Sequence, residues 1–300
     1  MPRGNRINRS NPNYGRKVVV TGFGVEVEYA ASDDYVFVTD YDHDYEDENT
    51  EYGIRVNKYV LAKDDPSIMG EYGAEVCFGP FHFAEFDGDQ EKAFKKCRQT
   101  LPILEELSSQ IEVNPSCGLH VHIGLQYADG APISAHPWQN NRDMMRLIRS
   151  FRYFQNTFFS LVNEVRRGAH WNEPLNQSLE TIRNGNNGFR YTAMNIASIA
   201  RHGTLEFRLP EGTLDYGQIM AWVRLLVRFC ERALAVPLAR QVRTARSIAN
   251  PALRALELER LLDDNKSAEF INRQITKYGY STLPVLGMEI ISMEETNAST

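Results

Sequence analysis

Four short stretches of this sequence set acid, imidazole or guanidinium side chains among apolar neighbours. They are Glu26-Val27-Glu28, Ala74-Glu75-Val76, His120-Val121-His122 and Glu206-Phe207-Arg208. On a β-strand, residues two apart point to the same face and lie about 7 Å apart. Glu26 and Glu28 then repel each other unless a cation or a guanidinium neutralises them. Taken alone, an E-x-E pair also fits the solvent-facing edge of a strand. Glu75 runs into Val76-Cys77-Phe78, which predicts a buried carboxylate, and buried charge is costly unless paired or bound to metal. His120 and His122 share one strand face, with Leu119, Val121 and Ile123 on the other. The H-x-H pattern is a metal geometry that also occurs in cupins and several hydrolases. Glu206 and Arg208 point the same way, a carboxylate beside a planar fork suited to phosphate oxygens. Glutamates plus one histidine make an oxygen-rich, hard ligand set, which favours Mg²⁺ or Mn²⁺ over structural zinc.

These residues need strands to carry them. Residues 18–29 read as a first strand with glycines at Gly22 and Gly24, and residues 54–62 and 74–83 as two more, separated by a turn at Asp64-Asp65-Pro66-Ser67. Residues 89–111 carry a helical stripe from Ala93 to Ile111, which Pro102 should kink or split. Residues 119–125 form a short strand and residues 141–165 a long amphipathic helix. Residues 185–188 form a Gly/Asn turn. Residues 191–200 fit strand or helix equally. A strand over 204–209 stops at Pro210, a helix covers 216–234, and two more helices lie near 251–262 and 268–278. Strands that come first and in groups, with helices inserted, indicate an α+β fold with an antiparallel sheet.

Composition narrows the function classes. A chain of 300 residues with 42% hydrophobic and 24% charged residues is ordinary for a globular protein. Net charge −6 argues against a general nucleic-acid binder, which needs a basic face. No stretch reaches the roughly 18 apolar residues of a membrane helix. Cys77, Cys97, Cys117 and Cys230 form no C-x-x-C pair and read as buried free thiols, which suits a reducing, cytoplasmic setting. Residues 1–16 read as a disordered basic arm and residues 293–300 as a flexible tail. The acidic run over 33–52 begins like a calcium loop at Asp40, but the glycine and the bidentate Glu of an EF-hand are missing, so it reads as a solvated loop or hairpin tip.

The order of the motifs resembles the amidoligase family, a branch of the glutamine synthetase and glutamate–cysteine ligase superfamily. The matching pieces are Gly24-Val25-Glu26-Val27-Glu28, Asp65-Pro66-Ser67-Ile68 leading to Glu75-Val76-Cys77-Phe78-Gly79-Pro80, and Cys117-Gly118-Leu119-His120-Val121-His122-Ile123-Gly124. Val165-Arg166-Arg167, residues 191–195, and Gly203-Thr204-Leu205-Glu206-Phe207-Arg208 running into Glu211-Gly212-Thr213-Leu214-Asp215 complete them. The resemblance spans residues 17–234. It implies a glutamine-synthetase-like curved antiparallel sheet with helices packed on one face, in a single catalytic domain over residues 17–292. It also implies an ATP-dependent ligase that joins a small-molecule or peptide-like carboxylate to an amine through an acyl-phosphate, with Mg²⁺ or Mn²⁺. Carried over by position, Glu26, Glu28, Glu75, His120 and Glu206 are metal ligands, and Arg208 and Arg166 bind the transferring phosphate. His122, Arg167, Tyr191 and Asn195 face substrate or nucleotide. Two positions depart from the family pattern: Phe78-Gly79-Pro80 replaces a small-residue Ser-Pro-Pro turn, and Val165 replaces the Ser before the paired arginines. A non-catalytic metal- or nucleotide-binding module and a metal hydrolase using the H-x-H pair are the rival readings. The acid, the amine and the oligomeric state are left open.

Overall fold

The computed structural model describes residues 12–31, 49–50, 53–65, 67–69, 72–107, 111–133, 138–178, 181–182, 190–237 and 250–281. The expectations for residues 1–11, 33–48, Pro66, 185–188 and 293–300 lie outside the described residues. The strands are β1 (Val18–Ala31), β2 (Asn49–Thr50), β3 (Gly53–Asn57), β4 (Val60–Asp64), β5 (Tyr72–His82), β6 (Ile111–Glu112), β7 (Leu119–Tyr127), β8 (Met194–Asn195) and β9 (Thr204–Phe207). The helices are α1 (Gln90–Thr100), α2 (Ile103–Leu107), α3 (Arg142–Phe159), α4 (Ser198–His202), α5 (Tyr216–Ala235), α6 (Pro251–Leu262) and α7 (Asn265–Tyr278). The class is α+β. The strands form one open sheet in the order β2-β3-β4-β5-β1-β7-β9-β8, with β6 paired to β1. The pairings β1–β5, β1–β6, β2–β3, β3–β4 and β4–β5 are antiparallel.

Local chemistry sets most boundaries. Asp89 caps α1 by accepting from the amides of Glu91 and Lys92. Pro102 splits the expected helix, so α1 ends at Thr100, α2 starts at Ile103, and Ile111 opens β6. Asn141 caps α3 through the amides of Asp143 and Met144. The helix stops at Phe159, short of the expected 165, and Asn163 caps a separate 3-10 turn over Glu164–Arg166. The expected strand over 54–62 is in fact a hairpin of β3 and β4. Asn57 causes this, because its side-chain oxygen accepts from the Tyr59 amide at 2.8 Å and closes an Asx turn. The ambiguous stretch 191–200 holds both β8 and the start of α4.

The chain divides into two compact units, each made of segments distant in sequence. One comprises Thr21–Gly124 with Glu206–Val227, the other Met1–Val20, Leu125–Leu205 and Arg228–Thr300. In the first, Phe23 packs with Phe81 at 5.1 Å and with Phe94 of α1 at 5.4 Å between ring centroids. Gly22 admits the close approach of the Phe81 carbonyl, which any Cβ would block. A β-bulge lies between Phe23 and Val25. In the second unit, Phe151, Phe154 and Phe158 of α3 surround Phe229 of α5, and α3 also packs against α6, where the Tyr153 hydroxyl donates to Glu257. The aromatics of α3 are core, as their spacing predicts. Among the described residues, no helix is long and apolar enough to cross a membrane.

Candidate functional site

Strand register brings the charged positions of the first unit together. Glu28 stands opposite Glu75 across β1–β5, and Glu75 stands opposite Lys63 across β5–β4. One row therefore runs Lys63–Glu75–Glu28 over three strands. The next row on that face pairs Glu26 with Cys77, and Cys77 with Leu61. The other face takes Val25, Val27, Val76 and Phe78, all buried. This alternation is the period-2 pattern of a strand with one face committed to the core.

β7 lies beside β1 and carries His120 into the carboxylates. His120 Nδ1 is 3.2 Å from Glu26 Oε2 and 3.6 Å from Glu206 Oε1, and its Nε2 is 3.2 Å from Glu28 Oε1. Three carboxylates from β1 and β9 thus bracket one ring. His122 Nε2 meets Glu26 Oε1 at 3.3 Å. The second oxygen of Glu28 accepts from the Gly118 amide at 2.5 Å, which ties β1 to the loop before β7. Arg208, just beyond β9, donates to Glu206. Lys63 Nζ contacts Glu75 directly and lies 3.9 Å from Glu26.

Electrostatics follow from this crowding. Burial pushes the Glu26 carboxyl up, but the adjacent His122 and His120 outweigh it and hold the group well below the usual range. Glu206 also lies below its ordinary value, because His120, Arg208 and His122 overcome its burial. Glu75 goes the other way. Burial, then the charge of Glu26, pushes it up to about 7 despite Lys63. Burial lowers the His122 imidazole, yet Glu26 and the other carboxylates raise it overall. Burial and the charges of Glu26 and Glu75 push the Cys77 thiol up, so it is no thiolate nucleophile.

The donor set fits a hard divalent cation. Among the described residues, Glu26, Glu28, Glu75 and Glu206 crowd around His120, His122, Lys63 and Arg208 in a largely buried cluster. A dication is one group that could neutralise such crowded carboxylates. Among the described residues, three sets of donor atoms come within 4.8 Å of one another: Glu26, Glu75 and His120; Glu26, His122 and Glu206; and Glu28, Asp65 and Glu75.

Seven of the residues singled out from sequence, Glu26, Glu28, Glu75, His120, His122, Glu206 and Arg208, therefore meet in one cluster. The other four belong to the second unit. Arg166 is buried, with Trp171 5.9 Å from its guanidinium. Tyr191 is exposed, and Asn195 is buried with its side-chain oxygen on the Ala197 amide at 3.0 Å. The Arg167 guanidinium donates to the carbonyls of Phe159, Val162, Tyr278 and Gly279, so it ties the ends of α3 and α7. Sequence reasoning missed Lys63, Asp65 and the site-facing position of Cys77. The first two sit past the end of the expected strand 54–62, and extending its alternation beyond Leu61 would have found them.

No curated protein gives a match to the chain. The family described as "Putative amidoligase enzyme" matches residues 15–230, which include every residue of the cluster. A match over more than half of the sequence establishes kinship: the chain belongs to this amidoligase family, whose members are ligase-type enzymes.

Proposed function

We propose that the protein is an ATP- and divalent-metal-dependent ligase that joins a carboxylate to an amine, with a sheet of the glutamine synthetase type. One observation carries the reading: four glutamates, two histidines and an arginine converge from adjacent strands, in a member of the amidoligase family. Glu26, Glu28, Glu75, His120 and Glu206 would hold Mg²⁺ or Mn²⁺. When bound, the ion neutralises negative charge on nucleotide phosphate oxygens.

The chain's own groups do the rest. Arg208 offers its planar fork to the γ-phosphoryl oxygens as charge spreads over them. Glu206 holds that guanidinium in place, and Glu26 orients both imidazoles. The substrate carboxylate oxygen bonds to the γ-phosphorus while the bridging P–O bond breaks, and ADP leaves with the electron pair. The amine nitrogen then bonds to the acyl carbon and phosphate leaves with its pair. The amine proton passes to a base, and a carboxylate of the cluster can take it. Arg166, Tyr191 and Asn195 are assigned to substrate or phosphate contacts by their family positions.

The test is amine-dependent ADP release by the full chain with Mn²⁺ and ATP, screened over amino-acid and peptide carboxylates. The Glu26→Gln variant should lose about 100-fold or more of that rate. Product formation without ATP would instead mark a hydrolase, and nucleotide binding without turnover under any amine would mark a non-catalytic module.

A further inference from the structure

Lys63 is the unplanned member of the cluster. It lies on β4, directly opposite Glu75, and Glu75 lies directly opposite Glu28. Its ammonium contacts the Glu75 carboxylate and sits 3.9 Å from Glu26. It is not a solvated surface lysine paired in passing, a class of contact worth little. Glu75 is 8% exposed and Lys63 31%, so the pair sits at the rim of the buried cluster with the head group turned inward. The Lys63 ammonium therefore faces carboxylates from two neighbouring strands. The groups facing it from β1 and β5 are Glu26, Glu75 and the Cys77 thiol.

Glu26 and Glu75 are also two of the three donors in one of the convergent sets, with His120. A lysine ammonium and a divalent ion therefore want the same two carboxylates. We infer that Lys63 is a tethered cation that shields the Glu75 side of the cluster and must be displaced from it when a divalent ion binds, so that it weakens and times metal loading. The inference rests on reading the cluster as a metal site. Its chemistry is competition between a single charge on a flexible stem and a double charge that can take several oxygens at once. The lysine head is near enough to the rim to swing into water, so displacement reduces affinity without preventing binding.

The experiment is Mn²⁺ titration of the full chain, read by the paramagnetic resonance signal of free Mn²⁺, with thermal unfolding as a check on folding. Lys63→Gln and Lys63→Met should each bind Mn²⁺ about tenfold or more tightly than wild type, because a positive charge within a few ångströms of the ion has gone. Lys63→Arg keeps the charge and should stay close to wild type. In a Glu75→Gln background the Lys63→Gln gain should shrink, since the contested carboxylate is no longer charged. A folded Lys63→Gln protein with wild-type or weaker affinity overturns the inference while leaving the metal site standing. Absence of Mn²⁺ binding by wild type sinks the metal reading itself.

Discussion

Moving from about pH 8 to about pH 6 should weaken Mn²⁺ binding about tenfold, and one carboxyl group is the reason. Glu75 is held at about 7 by burial and by the charge of Glu26, against the pull of Lys63. Near pH 8 about nine in ten molecules have it ionised and ready to take a cation, and near pH 6 about one in ten does. Below its midpoint the proton and the metal compete for the same oxygens, and apparent affinity falls about tenfold for each pH unit. The same group sets a stability trend with the opposite sign to ordinary carboxylates. Its value in the folded protein lies above its ordinary 4.5, so the metal-free fold loses stability as pH rises from 4.5 to about 7. The loss from this group is about 3 kcal/mol. Glu26 and Glu206 lie below their ordinary values, so their contributions are present above about pH 4.5 and fade as pH falls through their folded-state values. Calorimetric titration of Mn²⁺ in buffers of different ionisation heat reads both the affinity and the proton released on binding. Thermal unfolding with and without Mn²⁺ should show a larger stabilisation near pH 8 than near pH 6. Glu75→Gln should bind more weakly and lose most of this pH dependence. A flat wild-type profile between about pH 6 and about pH 8, or an unchanged slope in Glu75→Gln, would refute the reasoning.

Three further outcomes separate the roles of other residues. Arg208→Lys should lower kcat about 100-fold, because an ammonium cannot make the planar two-point contact, while Mn²⁺ affinity read by titration stays near wild type. Arg167→Ala should cost about 3 kcal/mol in urea unfolding, since four carbonyls lose a charged donor, with no change in Mn²⁺ affinity. A collapse of Mn²⁺ binding in that folded variant would instead put Arg167 in the site. Glu26→Gln should weaken Mn²⁺ binding more than Glu75→Gln does at pH 8, because Glu26 touches both imidazoles as well as the lysine, and equal losses would count against its central place.

The positions that meet in the cluster were legible because they sit in strands whose alternation is clean. Glu26, Glu28, His120 and His122 each stand between buried apolar or aromatic neighbours, and spacing alone puts each pair on one face of its strand. Helices with strong caps or proline starts were equally plain, as α6 is, where Asn250 caps and Pro251 occupies the first turn. What spacing cannot supply is which residue of one strand faces which residue of the next. The opposition of Glu75 to Glu28 and of Lys63 to Glu75 is a fact of register, and register here depends on the Asx turn at Asn57 and on the bulge beside Gly24. A strand ended at residue 62 leaves out the lysine, and one drawn straight through Asn57 hides the turn that sets its partner. The structural role of Arg167 was hidden for a different reason: its motif position suggests an anion, but the carbonyls that it meets at the helix ends are brought to it by the fold.

The two faces of the central strands answer how so crowded a cluster of charges persists in the fold. Val25, Val27, Val76 and Phe78 are buried on the face away from the carboxylates. At about 1.5–3 kcal/mol for each, they supply about 6–12 kcal/mol as an upper bound. The ionised Glu75 costs about 3 kcal/mol, and its Lys63 partner has already offset part of the original penalty. The apolar face thus works against the cost of the charges carried on the polar face of the same strands. A slip of one residue would exchange the two faces and lose both terms together, so the register that builds the core is also the one that assembles the site.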